Sequence, residues 1–286
     1  MPTAVRQLKR GEEAQTLDFL NRQPFANVVL SGFVQEHGLE SPRNRGSFYG
    51  RFDQGCLCDL ALIGHHVILS GSGAAIPCFA EIAGERHKND LRMVFGEETA
   101  VDTFTELLFQ AASYFQVQGA APQLLYALRR IKGQATAVEG LRLARLDELE
   151  EVVELHARLC AEQSGVDPSA QDPAGFRQWV LHRFERGRIW VVRDHQVISF
   201  KTDVVTETDC AAYLEGVWTR PDLRGKGLGS AALKGVCQRL LARHQGICLY
   251  VDGQDEQAQS FYERVGFERI ASYRVVRCGS VKGQAA

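Results

Sequence analysis

The 286-residue sequence predicts an α/β protein organised as two domains. Helical and strand-like patterns alternate along both halves of the chain, and the length fits two domains of ordinary size. Hydrophobic residues make up 45% and charged residues 24%, a composition that allows packed cores and argues against a disordered chain. Residues 133–140 are rich in glycine and small residues and suit a join, so we expect domains at 1–132 and 139–286.

The N-terminal half carries these patterns without a motif to which chemistry can be assigned. The patterns predict helices at 17–20, 27–34, 78–85 and 101–115, and strands at 47–52, 58–63, 66–69 and 91–95. The glycine-rich turn of this half, Ser70 to Gly73, contains no basic residue and runs into Pro77. We therefore do not expect this turn to bind phosphate.

The C-terminal half predicts a longer series of elements. We expect strands at 141–144, 189–193, 197–205, 211–219 and 247–251, with a turn at 194–196, and helices at 147–161, at 172–186 and after Gly227. Asp255 can cap a further helix, which Gly266 ends before Phe267 opens another strand.

The most informative segment runs from Val217 to Gly229 and reads Val-Trp-Thr-Arg-Pro-Asp-Leu-Arg-Gly-Lys-Gly-Leu-Gly. It leads from a strand, through a turn that Pro initiates and through glycines, into a helix. Glycines let the backbone approach a ligand, and the N–H groups in the first turn of a helix favour an anion. The segment therefore suits a pyrophosphate, with a glycine-rich turn that only starts a helix as the alternative.

The spacing in this segment argues against two common nucleotide motifs. A Walker loop needs Gly-Lys followed directly by Ser or Thr, whereas here Leu228 follows Gly227 and the first hydroxyl is that of Ser230. A dinucleotide fingerprint would place its third glycine one position after Gly229, and no acid ends a strand about 20 residues further on.

A second segment follows downstream, Asp255-x-x-Ala258-x-x-x-Tyr262-x-x-x-Gly266-Phe267. In order, and separated by one helix and one strand, the two segments resemble the motifs of the GNAT acetyltransferase superfamily. The resemblance covers about residues 139–282. It implies a mixed, mostly antiparallel central sheet flanked by helices. The element order of residues 1–132 resembles the same plan without its motifs, as in a degenerate lobe that supports the catalytic lobe or shapes a wall of the acceptor site.

The resemblance also implies which residues bind acetyl-CoA. The strand residues Val217, Trp218 and Thr219 would contact the pantetheine arm and the acetyl group. The pyrophosphate would lie on the loop formed by Arg224, Gly225, Lys226, Gly227, Leu228, Gly229 and Ser230. The family commonly has Asn near the pantetheine where this chain has Asp255, which keeps the helix cap and loses the amide donor.

Tyr262 is the candidate general acid. When an amine attacks the thioester, the departing CoA thiolate needs a proton, and in the family the Tyr at this position supplies it. A tyrosine phenol ordinarily has a pKa near about 10 and can donate a proton at neutral pH if it lies close to the sulfur. The alternative is a helix Tyr that only packs against the sheet, and Phe261 beside it is expected to be a core residue.

Glu215 is a possible general base. An alkyl amine is mostly protonated near pH 7, so a group must accept its proton before attack. Period-two alternation along the strand places Tyr213, Glu215, Val217 and Thr219 on one face. An outward charge on a half-exposed strand explains Glu215 equally well, and Tyr250 occupies the later-strand position where some relatives keep a Glu.

These features predict an enzyme, an acyltransferase that moves an acetyl group from acetyl-CoA to a small-molecule or peptide primary amine by direct transfer in a ternary complex. Two alternatives stay open. One is a non-catalytic acyl-CoA sensor, against which Tyr262 argues. The other is an aminoacyl transferase of the tandem-lobe type, in which the pyrophosphate loop is usually broken.

Composition adds several expectations. No segment has the apolar length of a membrane span or of a signal-peptide core, so we expect a cytoplasmic protein. The formal net charge of −2 gives no support for nonspecific nucleic-acid binding. Cys56 and Cys58 lack the second Cys pair of a zinc ribbon, so we expect free thiols and no metal.

Overall fold

A computed structural model of the chain describes residues 4–87, 91–111, 115–132, 137–165, 167–194 and 197–280. The chain divides into two compact units. The first unit comprises 1–126, 250–260 and 268–286, and the second unit comprises 127–249 and 261–267. This division differs from a single cut near residues 133–138, because the last strand of the chain folds with the first unit. Of the join expected at 133–140, residues 133–136 lie outside the described residues.

The first unit alternates helices and strands as its sequence predicts. Its strands are β1 (Ala4–Gln7), β2 (Gly46–Asp53), β3 (Cys56–Gly64), β4 (His66–Gly71), β5 (Met93–Glu97), β6 (Phe115–Leu128, whose last two residues belong to the second unit) and β12 (Glu268–Ser280). Its helices are α1 (Glu13–Leu20), α2 (Val28–His37), α3 (Ile76–Arg86) and α4 (Glu98–Ala111). The sheet order is β1-β2-β3-β4-β5-β12-β6. Most of the pairs with a described register are antiparallel, whereas β4 and β5 run parallel.

Alternation along β3 divides the core of the first unit between the two faces of its sheet. Leu60 and Leu62 pack on one face with apolar residues of α1 and α2. Ala61 and Ile63 pack on the other face with apolar residues of α3 and α4. All four side chains are at most 2% exposed, so β3 is buried on both faces. Such a strand accounts for the nearly continuous apolar run in this part of the sequence.

The second unit contains the remaining elements. Its strands are β7 (Arg142–Leu143), β8 (Ile189–Asp194), β9 (Val197–Glu207), β10 (Ala211–Thr219) and β11 (Gly246–Asp252, whose last three residues belong to the first unit). Its helices are α5 (Leu149–Ser164), α6 (Pro168–Gln171), α7 (Pro173–Glu185), α8 (Leu228–Leu241) and α9 (Glu256–Val265, whose first half belongs to the first unit). The sheet order is β11-β10-β9-β8-β7, antiparallel except for the β10–β11 pair.

Both units confirm the predicted fold class, a mixed, mostly antiparallel sheet flanked by helices. Strand β6 is not predicted from the sequence, because Gly119 and Pro122 within it are typical of turns. The helix predicted at 101–115 also extends too far: α4 ends at Ala111 and Phe115 already lies in β6, while 112–114 lie outside the described residues. In the predicted turn at 194–196, His195 and Gln196 also lie outside them.

Candidate functional site

Strand β10 carries an irregularity in the middle of the region predicted to bind the acyl donor. Glu215 lies opposite Asp203 of β9, and Trp218 lies opposite Lys201, so two residues of β10 face one residue of β9 between these pairs. This is a β-bulge, and Gly216 within it has a φ of 59°. On the other side of β10, the parallel pairing with β11 ends at Tyr213, six residues before β10 itself ends.

The bulge changes which side chains share a face. Simple alternation predicts Val217 on the face of Glu215, but the register places Trp218 on that face instead, because each cross-strand pair shares one side of the sheet. Trp218 is 9% exposed and packs in the core between the sheet and α5 and α7. The prediction that Glu215, Val217 and Thr219 share a face is therefore wrong. A period-two argument cannot detect a bulge in advance.

The glycine loop connects β10 to α8, as predicted. After a single turn of 3-10 helix at Pro221–Leu223, Gly225 and Gly227 have φ values of 73° and 87°, and α8 begins at Leu228. Among the described residues, no atom lies within 4 Å of a Cβ built on Gly225 or Gly227. Gly229 differs, because a Cβ there would lie 2.5 Å from Thr219 Oγ1. The first turn of α8 thus packs directly on the end of β10, and the loop before it faces open space.

The side chains of this loop make it electropositive, and two of them form hydrogen bonds with backbone carbonyls. Arg224 and Lys226 are exposed, and the Arg224 guanidinium donates a hydrogen bond from Nε to the carbonyl of Thr219 at 3.0 Å. Ser230 Oγ donates a hydrogen bond to the carbonyl of Gly227 at 3.1 Å, which links the first turn of α8 to the loop. Exposed cations, an open backbone turn and a helix N-terminus together fit an anionic group such as the pyrophosphate of acetyl-CoA.

Tyr262 lies on α9, half-buried, with its ring packed between two other rings. Its centroid is 5.1 Å from that of Phe261 and 5.8 Å from that of Phe267, both edge-on. Phe261 in turn contacts the start of α8, since its Cε2 would lie 3.6 Å from a Cβ on Gly229. Phe261 is half-buried rather than a fully buried core residue. Tyr262 is thus linked to the first turn of α8 through its ring contact with Phe261.

Asp255 caps α9 as its sequence position predicts. Its Oδ1 accepts a hydrogen bond from the backbone N–H of Ala258 at 2.8 Å. At the other end of α9, Gly266 has a φ of 115°, and the N–H groups of Gly266 and Phe267 both donate to the carbonyl of Tyr262. Both ends of the helix that carries Tyr262 are therefore fixed by local hydrogen bonds.

The Glu215 side chain is 44% exposed and has two polar neighbours. Tyr213 Oη donates to Glu215 Oε1 at 2.6 Å, and Arg183 Nη2 of α7 lies 3.9 Å from Glu215 Oε2. Thr202 Oγ1 donates to the backbone carbonyl of Glu215 at 3.2 Å. Glu215 is thus a held carboxylate whose oxygens remain accessible from solvent.

Sequence reasoning missed a buried charged cluster formed by His156, Arg183, Lys201 and Asp203. Each of these residues is at most 6% exposed. Lys201 and Asp203 stand two residues apart on β9, so both point to the face covered by α5 and α7. The signal was present in the sequence, since two opposite charges interrupt the otherwise apolar start of β9.

Burial and charge pairing shift the titration of this cluster. Burial lowers the pKa of Lys201 and the pKa of His156, although Asp203 opposes both shifts. Burial alone would raise the pKa of Asp203, but Lys201, His156 and Arg183 hold the pKa of that carboxyl well below its ordinary value. Asp203 is therefore an ionised carboxylate at neutral pH, surrounded by donors.

The cysteines form no disulfide, and all eight are free thiols. Cys237 and Cys248 are buried, and burial raises the pKa of both thiols. In the part of the chain that the structure describes, no three His, Cys, Asp or Glu side chains are grouped as metal ligands. Nor does that part contain a helix with the length and apolar composition needed to span a membrane.

Comparison with known proteins shows one matching domain and several similar structures. Residues 185–269 match the model of the acetyltransferase (GNAT) domain. A GNAT-family acetyltransferase from Colwellia psychrerythraea has a similar structure, with 14% identity and a TM-score of 0.54 over 96% of this chain and 99% of that chain. A GCN5-related N-acetyltransferase from Sphaerobacter thermophilus is 14% identical, with a TM-score of 0.60 over 96% and 94%.

A tandem GNAT protein from the clavulanic acid biosynthesis pathway is also similar, with 12% identity and a TM-score of 0.55 over 97% of this chain and 98% of that chain. At these identities the structural likeness establishes the fold alone. A search of curated protein sequences found no match. The matched domain spans α8, α9 and the loop between β10 and α8. Residues 185–269 therefore match the GNAT acetyltransferase domain, and the chain shares its overall fold with solved GNAT proteins.

Proposed function

We propose that this protein transfers an acetyl group from acetyl-CoA to a primary amine, by direct transfer while both substrates are bound. The observation that carries the proposal is the loop at Gly225 and Gly227, with positive φ at both glycines and exposed cations on either side of Gly225. It opens at the N-terminus of α8, where backbone N–H groups and the helix dipole favour phosphate oxygens.

The acyl donor would lie along the end of β10. Beyond Tyr213, β10 continues without its pairing to β11, so the backbone of Val217, Trp218 and Thr219 can hydrogen-bond an extended pantetheine arm. Acetyl-CoA supplies an activated acyl group, its thioester. A strand N–H in this segment would stabilise the negative charge that develops on the carbonyl oxygen. Asp255 is a further proposed contact, with a capping role in addition.

Two side chains would move protons. Tyr262 holds a proton for the departing sulfur, and its packing against Phe261, which contacts the start of α8, supports this role. Glu215 accepts the proton of the acceptor amine, directly or through a water, and its exposure on the bulge supports contact with a soluble amine. The chemistry then needs no covalent enzyme intermediate, because orientation supplies much of the rate enhancement.

Calorimetric titration of the purified protein with acetyl-CoA tests the donor site. We expect one binding site per chain, which desulfo-CoA should also occupy because its pyrophosphate is intact. A screen of alkylamines, amino acids, aminoglycosides and short peptides, read as CoA release, tests the acceptor class. No detectable binding at high micromolar acetyl-CoA would reject the donor assignment, and binding without release for every amine class would favour the sensor.

A further inference from the structure

The buried charged cluster of His156, Arg183, Lys201 and Asp203 plays no part in the mechanism above. Burying four ionisable groups where a core would otherwise be apolar is costly, because desolvation offsets most of the attraction between the charges. Ionisable groups with strongly shifted titration are concentrated at functional sites. The position of this cluster, rather than its composition alone, indicates its role.

Asp203 is the centre of the cluster. Its Oδ2 accepts hydrogen bonds from Arg183 Nη1 at 2.9 Å and from Lys201 Nζ at 2.8 Å. His156 Nδ1 lies 3.1 Å from that oxygen and 3.1 Å from Lys201 Nζ. The Arg183 guanidinium also lies against the Trp179 ring, with its central carbon 3.8 Å from the ring centroid. Arg183 is therefore held by a carboxylate and an aromatic face at once.

The cluster lies directly beneath the bulge in β10. Asp203 is the cross-strand partner of Glu215. A Cβ built on Gly216 would lie 3.2 Å from Lys201 Nζ and 3.5 Å from Asp203 Oδ2, so the bulge rests on these two side chains. Any larger residue at Gly216 would displace them. The bulge that presents Glu215 is thus packed on the charged cluster.

Arg183 connects the buried cluster with the exposed carboxylate. One guanidinium nitrogen, Nη1, donates to buried Asp203, and the other, Nη2, lies 3.9 Å from Glu215 Oε2. The Arg183 side chain is 7% exposed, whereas that of Glu215 is 44% exposed. From the other side, Tyr213 donates to Glu215 Oε1. The Glu215 carboxylate is therefore fixed between a buried cation and a phenol hydroxyl while keeping access to solvent.

We propose that Arg183 is a positioning residue for acyl transfer: anchored by Asp203, it holds the Glu215 carboxylate directed toward the acceptor amine. This inference rests on the proposed role of Glu215 as general base. The low solvent access of Arg183 limits the screening of its attraction for the Glu215 carboxylate. Lys201 and His156 act one step further away, by fixing Asp203.

The test compares Arg183→Gln, Glu215→Gln and the double variant, using kcat and KM for the best amine. If Arg183 acts through Glu215, Arg183→Gln should lower kcat about tenfold and leave KM for acetyl-CoA unchanged. In the Glu215→Gln background, the same substitution should have little further effect on kcat. Acetyl-CoA affinity, measured by calorimetry, should be unchanged in all three.

Three further variants test the role of the charge, replace Arg183→Gln if that variant does not fold, and control for a substitution on the same helix. Arg183→Lys retains the charge and should recover most of kcat. If Arg183→Gln does not fold, Tyr213→Phe, which removes the other hydrogen-bond partner of Glu215, should also lower kcat. Arg177→Gln, on the same helix but paired with exposed Glu150, should match the parent protein.

Each failure has its own pattern. Full turnover in Glu215→Gln would overturn both the general base and this inference. A large loss of kcat in Glu215→Gln with a normal kcat in Arg183→Gln would overturn the inference alone. A fall in kcat by the same factor in both backgrounds would also overturn it, because Arg183 would then act independently of Glu215.

Discussion

The two units place a glycine-containing loop at the same point of the same strand order, and the two loops differ in what lies against them. In the first unit β4 is antiparallel to β3 and parallel to β5, and a loop leads to α3. In the second unit β10 is antiparallel to β9 and parallel to β11, and a loop leads to α8. In both units the parallel pairing stops before the central strand ends, so the architecture around the loop is shared.

The charged groups at the two loops have opposite sign. In the first unit the Asp59 carboxylate accepts hydrogen bonds from the N–H of Gly73 at 2.8 Å and from Ser72 Oγ at 2.9 Å, and it also pairs with Arg51. In the second unit the corresponding loop carries exposed Arg224 and Lys226 and leaves open space at its glycines. The first loop is thus filled by an anion from its own chain, whereas the second is suited to an external one.

The largest predicted effect is a loss of acetyl-CoA affinity. It is tested at two glycines of nearly equal conformation, Gly227 with a φ of 87° and Gly73 with a φ of 86°. Gly227→Glu should weaken acetyl-CoA binding by about a hundredfold or more, because it places a carboxylate where phosphates would bind. Gly73→Glu imposes the same backbone strain but should leave the Kd unchanged. Calorimetry measures the Kd for acetyl-CoA in both variants, with Gln238→Glu on α8 as a control for the added charge. Equal Kd values in the two glycine variants would contradict the proposed difference between the loops.

The second prediction concerns Tyr262, which belongs to the second unit and has no counterpart motif in the first. Tyr262→Phe removes only the phenol hydroxyl and should reduce kcat by about a hundredfold, since the departing sulfur loses its proton donor. Acetyl-CoA affinity should be retained. Steady-state kinetics measures kcat and calorimetry measures the affinity for acetyl-CoA. Unchanged turnover would contradict the general-acid role.

The third prediction tests the filled loop. Asp59 is 1% exposed, and Asp59→Ala would leave Arg51 and the N–H of Gly73 without their acceptor. We expect a loss of about 3 kcal/mol in the free energy of unfolding, with acetyl-CoA affinity unaffected. Denaturant unfolding measures it, with exposed Asp53→Asn as the control. A loss of acetyl-CoA affinity in Asp59→Ala would show that the first loop also serves the donor.

The smallest predicted effect is a pH dependence of stability that arises in the second unit. Burial lowers the pKa of His156 from 6.5, so the unfolded chain takes up this proton at a higher pH than the folded chain. Stability should therefore be complete above about pH 6.5 and should fall as the pH drops below it. Thermal unfolding from pH 8 to pH 5 should show this decline in the parent protein, and the decline should be smaller in His156→Gln. Equal slopes in both would contradict the assignment.

The sequence predicted the loop and the helix caps well because both depend on local chemistry. Gly227 starts α8 and Asp255 caps α9 through contacts within a few residues, which a motif encodes completely. The bulge at Gly216 could not be predicted, since it depends on the register between β9 and β10. Arg183 was also missed, because its partners lie on other elements and only folding brings them together.

The compact units differ from the expected domains for a related reason. Composition located a join near 133–140, but β12, at the far end of the chain, pairs with β5 and bonds through Arg274 to Glu98 and Asp102 at the start of α4. Pairing between segments about 180 residues apart leaves no trace in local periodicity. The strand itself was predicted from Phe267 onward, and only its partner was not.

The position of β12 has a consequence for how the protein is made. During synthesis β5 leaves the ribosome long before residues 268–280 exist, so one edge of β5 has no β12 to pair with while the whole second unit is translated. An unpaired strand edge invites association with other chains. Loss of the final strand should therefore damage the first unit, which is distant from it in sequence, and should appear as aggregation of truncated chains rather than as a simple loss of activity.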